Sequence, residues 1–567
     1  MRERSSHRPC SYTASETGSF ASSFLLSAAL LLLFQGVSPV VSSAAVAPPS
    51  RPNLIVFFPD TVRAESLSSY DHPFVSTPNT DRLAAEGVLF EQAHAQHTQC
   101  SPSRCAVFTG RYMHVLGHRT QNHLLQPTEP NVFAYLKAAG YTTISIGKND
   151  ALSAGAFNST FSYWVNEDGV PQGSNRFAFG EAGYYSFGYN ASDEPGNSTS
   201  RNKNTDYVAA LTVAELLSGG KLPEPFAIFV TGIGAHPPYS APIDYYSMYS
   251  AAQVASQAPL RVFSPGQPPH LDPSVGIAAF RNLKKFNDSF FCQLAAVYLG
   301  RVSFVDALMG LMLDALDAST YVDRTAFFFS SDHGDYSGDF HAPEKYPCGL
   351  DDVLTHVPLI ARVPGGLKGA RIPAPVETLD LFATVLDLAG LLSPALSGPG
   401  AIERHFSNTL LPALMGWPNA SVASFKPFVH SEGGYSPGTA EVEPLDPAQA
   451  AIYADPTNLY YPRGQEELLA THCTRAVMMR NATAKLVYRP APGTSELYDL
   501  AADPRERTNL YGSSSARALQ TALVYEMLDW LTQTSDITPF LEDQRGDAPS
   551  PPVPDYWPTV PLVKAGR

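Results

Sequence analysis

No run of lysine or arginine occurs anywhere in this 567-residue chain, and its 38 basic residues are outnumbered by 53 acidic ones, for a net charge of −15. That balance argues against nucleic acid as a partner, because neutralising a phosphate backbone needs clustered cations. An anionic substrate would have to be held by a few cations gathered in a pocket against the field of the whole chain. Cysteine is scarce, at six residues. Setting aside Cys10 and Cys100, the remaining Cys105, Cys292, Cys348 and Cys473 allow three pairings or free thiols, and the sequence does not choose among them. Internal repeats are absent. Beyond the N-terminal region no segment reads as apolar for long enough to cross a bilayer. Core material is not in short supply: 44% of residues are hydrophobic and 11% aromatic. The length suits one large α/β domain with a smaller one beside it.

The first 47 residues read as a signal peptide. Arg2, Arg4 and Arg8 precede an apolar stretch from Phe20 to Phe34, and small residues follow as far as Ala45-Val46-Ala47. These are a basic region, an apolar region and an A-x-A-like cleavage site. An uncleaved signal anchor is the alternative. Cys10 would leave with the leader. Sequons at Asn158, Asn190, Asn197, Asn287, Asn419 and Asn481 fit a secretory route. The expected destination is extracellular or lysosomal, with no stable membrane span after cleavage.

From Arg51 onward, short β-rich runs alternate with helical patterns, which predicts a sheet sandwiched by helices. Leu54 to Phe58 is a buried strand ending at Asp60, and Thr77-Pro78 opens a helix that Gly87 closes. A helix from about Asn131 to Gly140 leads to the strand Thr142 to Ile146, which delivers Lys148. The strand Phe226 to Val230 leads through a turn to His236. A long helix, Phe290 to Asp317, precedes the strand Ala326 to Phe329, which ends at Asp332-His333. Ligands of open α/β sheets bind beyond the carboxyl ends of the strands, so these polar strand ends are expected to converge. Residues 151–220, rich in Gly, Tyr, Asn and Ser, read as a glycosylated surface insertion. The expected organisation is a large α/β domain over 51–392, a linker over 393–424, a smaller subdomain with an antiparallel sheet over 425–534, and a Pro-rich tail over 535–567.

The segment Cys100-Ser101-Pro102-Ser103-Arg104, extended by Thr109-Gly110-Arg111, carries the chemistry. Pro102 suits a first helical turn, which places Cys100 at a helix N-terminus beside free backbone N–H groups. That position favours an anion, and Arg104 adds a fixed positive charge. A bare thiolate nucleophile fits these facts as well.

Cys-x-Pro-Ser-Arg followed by Thr-Gly resembles the signature by which type I sulfatases of the alkaline phosphatase superfamily convert cysteine to formylglycine. Further segments resemble that family in order: Ser76 to Leu83, Ser331-Asp332-His333-Gly334, Val376 to Asp380, and Glu496 to Leu500 with Asp503-Pro504 and Asn509-Leu510. The resemblance implies a large α/β/α domain with a central mixed sheet and a smaller α/β C-terminal subdomain. It implies one divalent cation, usually Ca2+, held by Asp60, Asp332, His333 and the modified Cys100. Arg104, Lys148 and Lys345 look like the cations around nucleophile and sulfate, and His236 looks like the proton donor to the departing alcohol. A formylglycine-generating enzyme would be the partner that makes the nucleophile. Formylglycine hydrate has two hydroxyls, one to attack sulfur and one to expel sulfate afterwards, which a serine lacks.

Two positions depart from the family. Thr61 follows Asp60 where a second carboxylate is common, removing one charged ligand. Asp150 stands where many members have His, two residues after Lys148; it reads as a base or substrate contact, with a helix N-cap as the alternative. The function expected from the sequence is hydrolysis of sulfate esters, with a sulfated glycan or small sulfated molecule as substrate. The alternatives are a phosphomonoester or phosphodiester hydrolase of the same superfamily, and a catalytically weak pseudosulfatase that binds sulfated glycans.

Overall fold

The computed structural model describes residues 51–166, 175–177, 187–190, 205–392, 402–418, 425–434 and 474–535, except positions 233, 238, 275 and 282. The leader, Cys10, Cys473, the tail from residue 536 and the sequons at Asn197 and Asn419 lie outside these residues.

The first strand, β1 (Asn53–Phe57), is buried throughout. Helix α1 (Pro78–Glu86) has Pro78 in its first turn and stops at Gly87. A side chain at Gly87 would meet the Ala361 carbonyl oxygen at 2.2 Å, so the strand beside it demands glycine. Next come β2 (Val88–His94), α2 (Cys100–Thr109), α3 (Val132–Ala138), β3 (Thr142–Gly147) and β4 (Tyr163–Asn166). Helix α4 (Thr205–Ser218) precedes β5 (Phe226–Val230), and α5 (Asp288–Asp317) precedes β6 (Thr325–Ser330). Three strands, β7 (His356–Val357), β8 (Leu359–Arg362) and β9 (Ala370–Glu377), lead to α6 (Asp380–Leu388).

Among the described residues these strands form a nine-stranded mixed sheet of order β7-β2-β8-β6-β1-β5-β3-β4, with β9 also paired to β2. Its centre is parallel, β6-β1-β5-β3, while β8 runs antiparallel to both β6 and β2. Side chains alternate along a strand, so each central strand feeds two cores. Ile55, Phe57, Ile228, Val230, Phe327 and Phe329 pack under α1, α4 and α5. Leu54, Val56, Phe58, Phe229 and Phe328 pack on the other face against α2, α3 and α6. The large body is thus an α/β/α sandwich.

Two expectations are corrected here. The C-terminal part of the expected surface insertion is the core helix α4, whose Ala209, Ala210, Val213 and Leu217 are buried at helical spacing under the sheet. Its polar flanks mask that stripe in the sequence. The other correction is α5, a 30-residue helix long and apolar enough to cross a bilayer, contrary to the expectation that no such segment lies beyond the leader. Its apolar surface is spent on the protein core instead: 89% of its most apolar window is buried.

Residues 402–418, in the region expected as linker, pack Leu410, Leu411, Leu414 and Met415 into the second core. A separate four-stranded antiparallel sheet follows, β10 (Val429–Gly433), β11 (Ala476–Arg480), β12 (Ala484–Tyr488) and β13 (Glu496–Asp499), covered by α7 (Arg517–Thr534). Cys100, Cys105 and Cys292 are free buried thiols, and Cys348 is buried as well. Of the sequons, Asn158 and Asn287 are exposed, and Asn287 also caps α5 by accepting from the Phe290 N–H.

Candidate active site

The polar ends of β1, β3, β5 and β6 meet at the carboxyl edge of the parallel strands, where the N-terminus of α2 joins them. Asp60, Cys100, Asp332 and His333 each offer one ligand atom, and these atoms lie within 4.8 Å of one another. All four residues are buried. Cys100 Sγ is 3.3 Å from His333 Nε2 and 3.6 Å from Asp60 Oδ1. Asp332 Oδ1 accepts from the backbone N–H groups of Thr61 (3.1 Å) and His333 (3.0 Å), which fixes its carboxylate.

His333 Nδ1 lies 2.8 Å from the Gly334 carbonyl oxygen, which only accepts, so Nδ1 carries the proton. The lone pair of the neutral ring is therefore on Nε2, facing the cluster. Burial lowers the His333 pKa, with Asp332 opposing, so the ring is neutral. Two carboxylates and a bare imidazole nitrogen, all withdrawn from water, fit a divalent cation. The Thr61 hydroxyl beside them is buried without a hydrogen-bond partner, on a backbone with φ +60°. A β-branched residue in that left-handed region is a genuine outlier.

Cations surround the cluster. Arg104 Nε donates to Asp332 Oδ2 at 2.9 Å, and its Nη2 is 3.4 Å from Asp60 Oδ2. Lys148 Nζ donates to Asp60 Oδ2 at 2.5 Å and lies 3.9 Å from Cys100 Sγ. Burial alone would raise the Asp60 pKa, but the charges of Lys148 and, behind it, Lys345 hold it well below the usual range. Burial and the Asp60 charge push the Cys100 thiol up to about 12, the opposite of what a thiolate nucleophile needs.

Lys148 is delivered by Gly147, at φ +104°, where a side chain would strike the Thr231 carbonyl oxygen at 2.0 Å. Asp150 Oδ2 lies 2.8 Å from Lys148 Nζ, so the two side chains point the same way. Burial opposes ionisation of Asp150, yet Lys148 and Arg104 lower its pKa. It caps no described helix; Asn149 Oδ1 takes the nearby Ala151 and Leu152 N–H groups instead. On the far side, His236 Nδ1–H donates to the Pro237 carbonyl at 2.7 Å, and its Nε2 accepts from Lys345 Nζ at 2.8 Å. Burial and then Lys345 and Lys148 depress the His236 pKa.

Every residue singled out from the sequence therefore lies around one buried centre. Sequence reasoning passed over two others. Gln121 Oε1 accepts from the Ser101 N–H at 2.9 Å, satisfying the start of α2, where the N-cap Gln99 makes no side-chain cap. That contact crosses between distant segments and leaves no sequence signal. Glu344, one residue before Lys345, contacts the Lys345 ammonium at 3.1 Å; its place in sequence was the only clue.

The sulfatase family profile matches residues 52–391. Among relatives, the multifunctional alkaline phosphatase superfamily protein PehA of Trinickia caryophylli is 24% identical over 85% of this chain and 94% of its own length. An ulvan-active sulfatase of Formosa agariphila is 25% identical over 86% of this chain and 82% of its own. The phosphonate monoester hydrolase of Agrobacterium radiobacter superposes with a TM-score of 0.65 over 85% of this chain and 96% of that one; at 21% identity it shows the fold alone. With a profile match running from β1 past α6 and enclosing the whole polar cluster, the chain belongs to the sulfatase family.

Proposed function

We propose that this protein hydrolyses sulfate esters, with a sulfated glycan as the substrate class, through a formylglycine made from Cys100 and a bound divalent cation. The observation that carries the reading is the buried centre itself. Asp60, Asp332, His333 and residue 100 form a ligand set ringed by Arg104, Lys148 and Lys345, the charge pattern a bound sulfuryl group requires. The glycan assignment is supported by the ulvan-active relative. By family resemblance the cation is calcium, and the place of action is extracellular or lysosomal. The same reading divides the chain into a catalytic domain over 51–392 and a subdomain over 425–534.

Asp60, Asp332, His333 and residue 100 would hold the cation, which supplies Lewis-acid neutralisation of the sulfuryl oxygens. Formylglycine supplies a geminal pair of hydroxyls for attack and release. The chain's own residues do the rest. Arg104 holds both carboxylates in place, donating to Asp332 and lying within reach of Asp60. Lys148, steadied by Asp150, presents a positive charge beside residue 100. His236 and Lys345 hold a proton on the opposite side, where the alcohol departs.

A second reading, hydrolysis of phosphonate or phosphate monoesters, is favoured by the fold shared with the phosphonate monoester hydrolase of Agrobacterium radiobacter. Steady-state kinetics on the sulfate, phosphate and phosphonate esters of 4-nitrophenol separate the two. The expected result is the highest kcat/KM on the sulfate; a preference for either phosphorus ester would overturn the sulfatase reading.

A further inference from the structure

Among the strained residues near the site is a buried glutamate in a left-handed turn. Glu344 has φ +62°, a conformation that favours glycine, and its side chain is only 1% exposed. Both the backbone and the buried carboxylate cost stability. The turn is held from three directions. Glu344 N–H donates to Tyr239 Oη at 2.6 Å and to Asp335 Oδ1 at 3.0 Å, and the Glu344 carbonyl accepts from Tyr336 N–H at 3.0 Å. Tyr239 Oη itself donates to Asp335 Oδ1 at 2.9 Å.

The carboxylate faces the pair on the departing-alcohol side of the site. Glu344 Oε1 accepts from Lys345 Nζ at 3.1 Å and lies 3.7 Å from His236 Nε2. Arg281 Nη2 stands 4.0 Å from Oε2 and donates to the Lys345 carbonyl at 2.8 Å. Across the site, Asp60 and Lys148 complete the charges that act on His236. A glycine would make the same turn without strain, but it could not hold the ammonium.

We infer that Glu344 is a positioning residue for leaving-group protonation, clamping the Lys345 ammonium against His236 Nε2. The inference deepens the proposed function and rests on its assignment of His236. As the ester S–O bond breaks, sulfur bonds instead to the attacking hydroxyl oxygen at residue 100, and the electron pair of the broken bond stays on the departing oxygen. That oxygen takes the proton shared by Lys345 Nζ and His236 Nε2, while Nδ1–H stays on the Pro237 carbonyl. Hydrolysis of the ester by water yields the alcohol, sulfate and one proton, that proton restores the Lys345–His236 pair, and Glu344 remains a carboxylate throughout.

Two variants test this. Glu344→Gln keeps the left-handed turn and removes the charge; Glu344→Gly removes the charge and relieves the turn. Wild type is first assayed on sulfate, phosphate and phosphonate esters, and two alcohols are then compared within whichever ester it cleaves. One is 4-nitrophenol, which leaves without a proton, and the other is a simple alkyl or sugar alcohol, which needs one. Both variants should lower kcat on the alkyl ester at least tenfold, with a several-fold smaller loss on the nitrophenyl ester. Glu344→Gly should melt at or above the wild-type temperature. Wild-type kcat on the alkyl ester in either variant, or equal losses on the two alcohols, would overturn the inference. A wrong sulfate assignment shows instead as a change of preferred ester.

Discussion

Two regions of this molecule bury charge densely, and they do it differently. Where β10 and its neighbours meet the large body, each charge is closed on a partner. Glu432 takes Arg119 at 2.7 Å and His114 at 2.6 Å, and Asp352 takes Arg480 at 2.9 Å and Lys485 at 3.2 Å. Lys426 lies between Glu377 and Asp380 in the same manner. At the carboxyl edge of the sheet Asp60 and Asp332 are paired as well, with Lys148 and Arg104, but that network is open in one respect: Asp60, Asp332 and His333 turn ligand atoms toward a common centre. Burial of charge alone therefore does not mark a functional site. Convergence of ligand atoms on a shared space does. The closed network should matter to stability and the open one to turnover.

The largest effect is expected at the open centre. Asp332→Asn should lower turnover by roughly 10^3-fold or more, since one charged group of a preorganised site is lost. Elemental analysis should show the bound divalent cation lost from the variant and present in wild type, with near-wild-type circular dichroism. An Asp332→Asn protein that keeps both its metal and its turnover would erase the distinction between the regions.

The closed network makes a prediction in pH. Burial opposes ionisation of Glu432, but the hydrogen bond from His114 and the charge of Arg119 bring its pKa to about 2 from an ordinary 4.5. A carboxylate with a depressed folded pKa stabilises the fold above its unfolded pKa and loses that contribution as pH falls through the folded value. Wild type should therefore exceed Glu432→Gln in stability by about 3 kcal/mol at neutral pH. The gap should close between pH 4.5 and 2, with turnover largely kept. Denaturant titrations across that range read it directly, and a gap independent of pH would contradict the ion-pair account.

A smaller effect sharpens the comparison at the border of the open site. Asp150→Asn removes the carboxylate 2.8 Å from Lys148 Nζ while keeping shape. Turnover should fall on the order of 10- to 100-fold, with little change in melting temperature. Lost stability with unchanged kcat would assign Asp150 to the closed kind of network.

Much of this contrast was legible in the sequence. Strands with continuous apolar runs that end in Asp60, Lys148, His236 and Asp332-His333 announce a parallel sheet with one polar edge, because strand direction alone gathers those ends. The Cys100 to Arg104 motif marks the helix that meets them. Other features were not legible. The left-handed backbones of Thr61 and Glu344 follow from tertiary hydrogen bonds, such as Tyr298 Oη donating to the Thr61 carbonyl at 2.8 Å, and neither residue type signals them. Helix α4 hid between Gly- and Asn-rich flanks. The closed pairs, such as Glu432 with Arg119, join residues 313 apart, a separation at which local pattern carries no information.

The account turns on what residue 100 becomes. Protein made alongside a formylglycine-generating enzyme, digested and examined by mass spectrometry, gives the fraction of Cys100 converted to the aldehyde. The account predicts that kcat toward a sulfate ester rises in proportion to that fraction across preparations. Fully active protein in which residue 100 is entirely alkylatable cysteine would contradict it.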